Sequence, residues 1–332
     1  MHRRDVIKFG VAGTAAAFTS GWNIPAFAQA KLELKSSDVH PFGYPTVDAV
    51  KSLGDKLTKA TNGRLTVQIY PSMQLGGEKE SIEQAQLGAL AMARVSVGAM
   101  GPVVDDLNVF NLPFVFRSAA QMHKVVDGPI GQEMLDKISN SGRGMVGLCW
   151  MDGGARNIYN SKRPIKTIDD LKGLKIRVIG NPIFVSMMNA LGGNGVAMGF
   201  DQLINALQTG IVDGAENNYP SYANGQHYRY AKYYSTTEHL ILPEILVFSK
   251  KIWDTLSKDD QALILKFAKE AQVEQRKLWA DLEVKALETM KKEGAEVTLI
   301  TDKAPFQAAV KPVWDQFGAK YTDVVKRIQE VS

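Results

Sequence analysis

The chain has 332 residues, 45% of them hydrophobic and 22% charged, and its 39 lysines and arginines against 35 aspartates and glutamates give a formal net charge of +4. That length allows two lobes with substantial cores, and the near balance of charge, with no basic stripe interleaved with aromatics, argues against nucleic acid or an acidic membrane surface as partner. The single cysteine, Cys149, excludes an internal disulfide.

Residues 1–30 read as a targeting leader. Charge lies in MHRRDVIKFG, a small apolar run follows from Val11 to Phe18, and Ala26-Phe27-Ala28 and Ala28-Gln29-Ala30 both fit small-residue cleavage sites. Arg3-Arg4 before Val6-Ile7-Lys8 is twin-arginine-like, although His2 and Val6 replace the more usual serine and phenylalanine; an ordinary secretory signal is the alternative. The mature chain is expected to start near Gln29 or Lys31 with a net charge of about +2, since Arg3, Arg4 and Lys8 leave together with Asp5. Beyond the leader no apolar run reaches the roughly 20 residues that cross a bilayer, so a soluble periplasmic protein is expected.

The first half alternates. Strand Leu32 to Ser36 is followed by helix Thr46 to Ala60, strand Arg64 to Tyr70, helix Glu78 to Gln86, strand Met92 to Val97, a helix around Gln121 to Ser139 and strand Met145 to Met151. Pro71, Gly76-Gly77, Gly101-Pro102 and Pro113 mark the turns, and Asn62-Gly63 closes the first helix. This order predicts an α/β fold with mostly parallel strands. Cys149, inside the apolar run Met145 to Trp150, reads as a small buried hydrophobe.

A second alternating set follows: strand Arg156 to Asn160, a short helix capped by Thr167, strand Leu174 to Ile179, helix Pro182 to Leu191, helix Phe200 to Leu207 and strand Val212 to Glu216. From Ser257, with Asp260 completing a capping-box-like start, a helical pattern runs through Leu263, Phe267, Leu278, Leu282, Ala286 and Met290 to Gly294. At 1.5 Å per residue it would be roughly 50 Å long, enough to span two lobes, with a bend expected near Ala268 to Val273.

The most pointed chemistry lies in the strand Leu174 to Ile179. Leu174, Ile176 and Val178 take one face and Lys175, Arg177 and Ile179 the other, while Asn181-Pro182 supplies an N-cap and first position for the next helix. Arg177 thus lies at a strand's carboxyl end beside a helix N-terminus, where open α/β sheets hold ligands and anions are favoured. A guanidinium there suits a carboxylate gripped by two parallel bonds. An ion pair with an internal aspartate or glutamate is the alternative.

Several long motifs in one order resemble a known family, the extracytoplasmic solute receptors of TRAP transporters, also called DctP-type binding proteins. They are YPSMQLGGEKE (Tyr70 to Glu80), NVFNLPFVF (Asn108 to Phe116), GARNIYN (Gly154 to Asn160), LKGLKIRV (Leu171 to Val178) and ALQTGIVDGAEN (Ala206 to Asn217), and the resemblance covers essentially the whole mature chain. It implies a two-lobed periplasmic-binding-protein fold, type II-like, with two mixed sheets flanked by helices and a long helix spanning both lobes. Lobe I would comprise residues 31–153 plus about 242–280, and lobe II about 154–241 plus 281–332. Such a receptor closes over an organic acid and delivers it to a membrane permease driven by an ion gradient. By motif matching, Arg177 is expected to hold the ligand carboxylate, Arg156 to be a second ligand arginine, Asn217 to bond the ligand, Phe200 to pack on it, and Glu78 and Ser96 to line the opposite face. Asp38 and His40, at the end of the first strand, are further candidates. Asn181 falls one residue later than the family's usual asparagine.

Glu78 would repel a second carboxylate on its side but accept hydroxyls, which Asn217, Asn218, Ser96 and His40 can also serve. A monocarboxylate polyol fits that set. DVHPFGYPTV (Asp38 to Val47), ARVSVGAMGP (Ala93 to Pro102) and IGNPIFVSMMNALGGNGVAMGF (Ile179 to Phe200) resemble the uronate-binding branch, implying D-glucuronate or D-galacturonate. A C4-dicarboxylate or 2-oxo acid is the alternative within the family, a dicarboxylate being held by Arg156 and Arg177, one at each end. Arg94, in an apolar strand, either reaches the cleft or pairs with Asp105 or Asp106. Glu238 and Glu244 are expected in structural pairings. His123, His227 and His239 lack metal-ligand spacing, and no cofactor or metal is expected. A periplasmic enzyme acting on sugar acids would need a nucleophile elbow, a zinc motif, a phosphate loop or an acid–base pair, and the sequence offers none of these. The expectation is therefore a monomeric receptor, not an enzyme.

Overall fold

The structure, a computed structural model, describes residues 31–332, and the expected leader lies outside the described residues. In chain order it runs β1 (Leu32–Ser37), α1 (Pro45–Ala60), β2 (Leu65–Tyr70), α2 (Glu78–Leu87), β3 (Met92–Ser96), α3 (Val97–Met100), α4 (Ala119–Asp127), α5 (Pro129–Asn140) and β4 (Met145–Asn160). It continues with β5 (Lys175–Val178), α6 (Pro182–Ala190), β6 (Asn194–Ala197), α7 (Phe200–Gln208), β7 (Gly214–Asn217), α8 (Tyr219–Asn224), β8 (Tyr233–Ser249), α9 (Lys250–Trp253), α10 (Lys258–Lys292) and β9 (Glu296–Thr298). Short helices complete the C-terminus.

The strands hydrogen-bond in the order β2-β1-β3-β8-β4-β7-β5-β6, with β9 on β8. Two ends of this arrangement are parallel: β1 with β2 and β3, and β5 with β6 and β7. Between them β4 and β8, 16 and 17 residues long, run antiparallel to each other and tie the two ends into one ladder. The expected strands Met145 to Met151 and Arg156 to Asn160 are therefore one strand. Gly153-Gly154, which reads as a break in sequence, is instead a register shift between Asp152 and Ala155, with Gly154 at φ +65°. A bulge of this kind bends a strand without ending it.

Other differences have local causes. The single helix expected from Gln121 to Ser139 is two, because Gly128 takes an extended conformation and Pro129 opens the second. The helix runs unbroken through Ala268 to Val273, where a bend was expected: α10 is helical for 35 residues. Its start is as expected, since the Ser257 Oγ accepts from the Asp260 N–H at 3.1 Å. Along α10, Ile264, Phe267, Ala268 and Ala271 join the core around β1, β2 and α1, whereas Ala286 and Met290 join the core around α7, α8 and β7. Gln275, between these, clamps the β4 bulge: its Oε1 accepts from the Asp152 N–H at 2.8 Å and its Nε2 donates to the Asp152 carbonyl at 3.0 Å. One helix thus buries apolar surface in two cores and fixes the strand that passes between them. Cys149 is buried, which pushes its thiol up to about 12, so it packs as a hydrophobe.

Candidate functional site

The strand ends converge on a cavity lined by Glu78, Arg94, Ser96, Arg156, Arg177 and Asn217, together with Val39, His40, Ile179, Phe200, Asn218, Ser221 and Glu244. The space it leaves free is about 30 Å³, well below the usual volume of a ligand pocket. Three of its arginines are buried: Arg94 is 2% exposed, Arg156 3% and Arg177 3%. Burying a charge is costly unless it is paired, so what faces each guanidinium decides what the cavity can bind.

Arg94 is surrounded by acids. It projects from β3; its Nε donates to Asp38 Oδ2 at 2.9 Å, its Nη1 to Glu244 Oε2 at 2.6 Å and to Glu78 Oε1 at 3.4 Å, and its Nη2 to Asp38 Oδ1. The alternative pairing with Asp105 or Asp106 does not occur; Asp105 binds Lys320 and Asp106 binds Lys137. Asp38 also accepts from the His40 N–H and the Thr46 hydroxyl, each at 2.8 Å. Burial opposes its ionisation, but Arg94 and these donors outweigh that and hold its carboxyl below the usual range. Asp38 is thereby fully engaged behind Arg94 and does not line the cavity.

Arg156, on β4, is equally saturated. Its Nε and Nη2 bind Glu216 Oε2 and Oε1 at 2.5 and 2.8 Å, Nη2 also reaches the Glu216 carbonyl at 2.8 Å, and Nη1 reaches Asn217 Oδ1 at 3.0 Å. This register follows from β4 pairing with β7, where Asn157 faces Asn217 and Ile158 faces Glu216. Burial works against the Glu216 carboxylate, yet Arg156 and His239 hold it down to about 2.

Arg177 is different. It lies on β5 between Val196 of β6 and Ala215 of β7. Its Nε donates to the Met198 carbonyl at 2.9 Å, and its guanidinium sits 5.9 Å from the Phe200 ring centroid. Among the described residues no carboxylate lies within salt-bridge distance of it. Burial lowers its pKa from the usual arginine range, only partly offset by Glu216. Of the two sequence readings of Arg177, the internal ion pair is not made, because Glu216, the nearest acid in the fold's register, is engaged by Arg156.

The remaining candidates divide in the same way. Glu78 opens α2, where its Oε1 accepts from the Ser96 N–H at 2.7 Å and its Oε2 from the Ser96 hydroxyl at 2.8 Å. His40 stacks on Tyr44 with ring centroids 3.7 Å apart; burial and Arg94 push its pKa down to about 3, so it is neutral. The Asn217 Oδ1 is held by Arg156 and the Asn218 N–H, and its amide NH₂ has no acceptor among the described residues. Asn218 lines the cavity, but its side chain caps α8 through the Ser221 N–H at 2.7 Å and donates to the Gly153 carbonyl at 2.6 Å. Asn181 is not part of the cavity: its Oδ1 caps α6 and its Nδ2 donates to the Gly98 carbonyl at 3.1 Å and to Asn108 Oδ1 at 2.9 Å. Glu244 makes its expected structural pairing and also lines the cavity, which its sequence setting in an apolar run did not reveal. Ile179, Ser221 and Val39 were likewise not picked out; Ile179 shares the Arg177 face by strand alternation and could have been. His227, buried against the Tyr159 hydroxyl at 2.7 Å, is pushed down to about 3 by burial and by Arg177. No group of histidines, cysteines and carboxylates among the described residues has a metal-binding arrangement.

Comparison with known proteins adds to this geometry. The family model for bacterial extracellular solute-binding proteins, family 7 (DctP), matches residues 36–321. A TRAP periplasmic solute-binding protein from Pseudomonas putida F1, solved with bound D-glucuronate, is 51% identical; the match covers 91% of this chain and 98% of that one with a TM-score of 0.89. Another from Xanthobacter autotrophicus Py2, with bound β-D-galacturonate, is 44% identical over 90% of this chain and 100% of that one, at a TM-score of 0.87. An apo, open structure from Citrobacter koseri, 42% identical over 90% and 98% of the two chains, superposes less well, with a TM-score of 0.79.

Proposed function

The chain belongs to the DctP family of bacterial extracellular solute-binding proteins and is a TRAP periplasmic solute receptor rather than an enzyme; from that premise we propose that it captures a hexuronate, D-glucuronate or D-galacturonate, by its carboxylate on Arg177. The observation that carries this is the contrast among the three buried arginines: Arg94 and Arg156 are bonded to carboxylates, and Arg177 has none among the described residues. A carboxylate ligand completes it with two charge-assisted bonds. Phe200 packs beside that pair, the Asn217 amide donates to the sugar, and Glu78, Ser96 and His40 meet hydroxyls across the cavity. Relatives 51% and 44% identical that hold D-glucuronate and β-D-galacturonate support the substrate class.

A dicarboxylate bridging Arg156 and Arg177 is disfavoured, because Arg156 would have to leave Glu216. In this reading residues 31–153 with about 242–280 and residues 154–241 with 281–332 act as the two lobes, which close at the β4 bulge beside Gln275. The small cavity and the weaker likeness to an open relative support a closed form. The mature receptor then works in the periplasm after removal of residues 1–30 and hands the acid to an ion-driven TRAP permease. A calorimetric titration of the mature protein with D-glucuronate, D-galacturonate, succinate and pyruvate tests the substrate. Binding of either uronate is expected; tight binding of succinate or pyruvate with no uronate binding would overturn the assignment.

A further inference from the structure

The cavity lining around Arg94 carries an excess of acid that the carboxylate-binding role does not use. Asp38, Glu78 and Glu244 surround the single cation Arg94, and His40 beside them is neutral. These three acids are not equivalent. Asp38 is engaged by Arg94, His40 and Thr46, and both oxygens of Glu78 are taken by Ser96. Glu244 reaches in from β8 and gives only its Oε2 to Arg94, at 2.6 Å. Its Oε1 has no hydrogen-bond partner among the described residues, although Glu244 is 7% exposed and lines the cavity. That oxygen lies against the backbone of β4, where a Cβ on Gly153 would be 2.7 Å from it.

We propose that Glu244 is a specificity-determining residue: with Glu78 it closes the cavity around Arg94 to a second carboxylate, so that the receptor takes acids presenting hydroxyls there and refuses the corresponding diacids. This rests on the assignment of the ligand carboxylate to Arg177. A hydroxyl can donate to the Glu244 carboxylate, whereas a carboxylate brings no hydrogen and meets like charge in a buried space, which is how interfaces exclude wrong partners. Glu244 acts here through its charge. It is faced by Arg94 from β3, Glu78 from α2 and Arg156 from β4, with Asp38 after β1 and the Tyr44 hydroxyl before α1 close by. Burial pushes its carboxyl up to about 7 and Glu78 adds to the rise, while Arg94 opposes it. The refusal of diacids is therefore strongest above about pH 7 and relaxes below it, as Glu244 takes up a proton.

The test compares D-galacturonate with galactarate, the diacid of the same carbon skeleton, by calorimetric titration of the mature protein and its Glu244→Gln variant. The substitution keeps the shape and an acceptor for Arg94 but removes the charge, so the preference for galacturonate over galactarate should narrow at least about tenfold. In the wild type the same preference should narrow as the pH is lowered from about 8 to about 6, where both ligands stay fully ionised. That pH series decides the question alone if the variant does not fold. An unchanged preference in both experiments, or galactarate binding detected in none of them, overturns the role of Glu244. Failure of the wild type to bind galacturonate or glucuronate at all would instead overturn the uronate assignment.

Discussion

The surroundings of Arg94 and of Arg177 use the same kinds of side chain in opposite proportion. Arg94 faces three carboxylates and Arg177 faces none within salt-bridge distance among the described residues, while Arg156 and Glu216 cancel each other. A charge already paired in the protein is a structural element, because its removal strands its partner. A buried charge without a partner serves a ligand, because only an incoming anion satisfies it. Burial alone therefore does not separate the two roles; the state of the partner does.

Breaking the paired arginine should cost the fold most. Arg156→Ala leaves Glu216 buried without its cation, and urea denaturation should show a loss of about 3–5 kcal/mol. Arg177→Ala should act on the other quantity, weakening uronate binding by about 2–5 kcal/mol with no comparable loss of stability, as read by calorimetry and denaturation on the same sample. Arg177→Lys should recover only part of the affinity, since the two-bond geometry is lost. If both alanine variants lose stability alike, the distinction between the two arginines is wrong.

Acid separates two of the buried carboxylates. Glu216 is held at about 2, below its unfolded value of 4.5, so its contribution is present above about 4.5 and is lost as the pH falls through about 2. That shift corresponds to on the order of 3 kcal/mol. Glu244 has the opposite sign. Raised to about 7 from 4.5, it favours the folded state at low pH and loses that contribution as the pH rises from about 4.5 through about 7. Denaturation midpoints across this range should fall on the acid side in the wild type, and Glu244→Gln should flatten the decline towards neutral pH. The smallest effect is expected at Asn181, whose alanine variant removes the α6 cap and should cost about 1 kcal/mol of stability with uronate affinity unchanged; a loss of affinity there would return Asn181 to the site.

Much of this was legible in the sequence where the determinants are local. The placement of Arg177 follows from strand alternation and the Asn181-Pro182 start of the next helix, and the start of α10 follows from Ser257. The pairing of each arginine was not legible, because it depends on partners far along the chain: Arg94 meets Asp38 56 residues away and Glu244 150 residues away. The continuity of β4 was hidden by Gly153-Gly154, which resemble a turn until α10 supplies Gln275 to hold the bulge. β8 was hidden by Pro243 in its middle, which pairs opposite Asp152 at the same irregularity. Asn181 falls one residue later than the family's usual asparagine, and tertiary contact with Gly98 and Asn108, invisible in sequence, decides its orientation.

Whether Arg177 is reserved for the ligand carboxylate can be decided by a crystal structure of the mature protein grown with D-glucuronate. Both carboxylate oxygens are expected within hydrogen-bonding distance of the Arg177 guanidinium, with Arg156 still on Glu216 and the sugar hydroxyls towards Glu78 and Glu244. A carboxylate bound to Arg94 or Arg156, with Arg177 left without an anion, would refute the assignment.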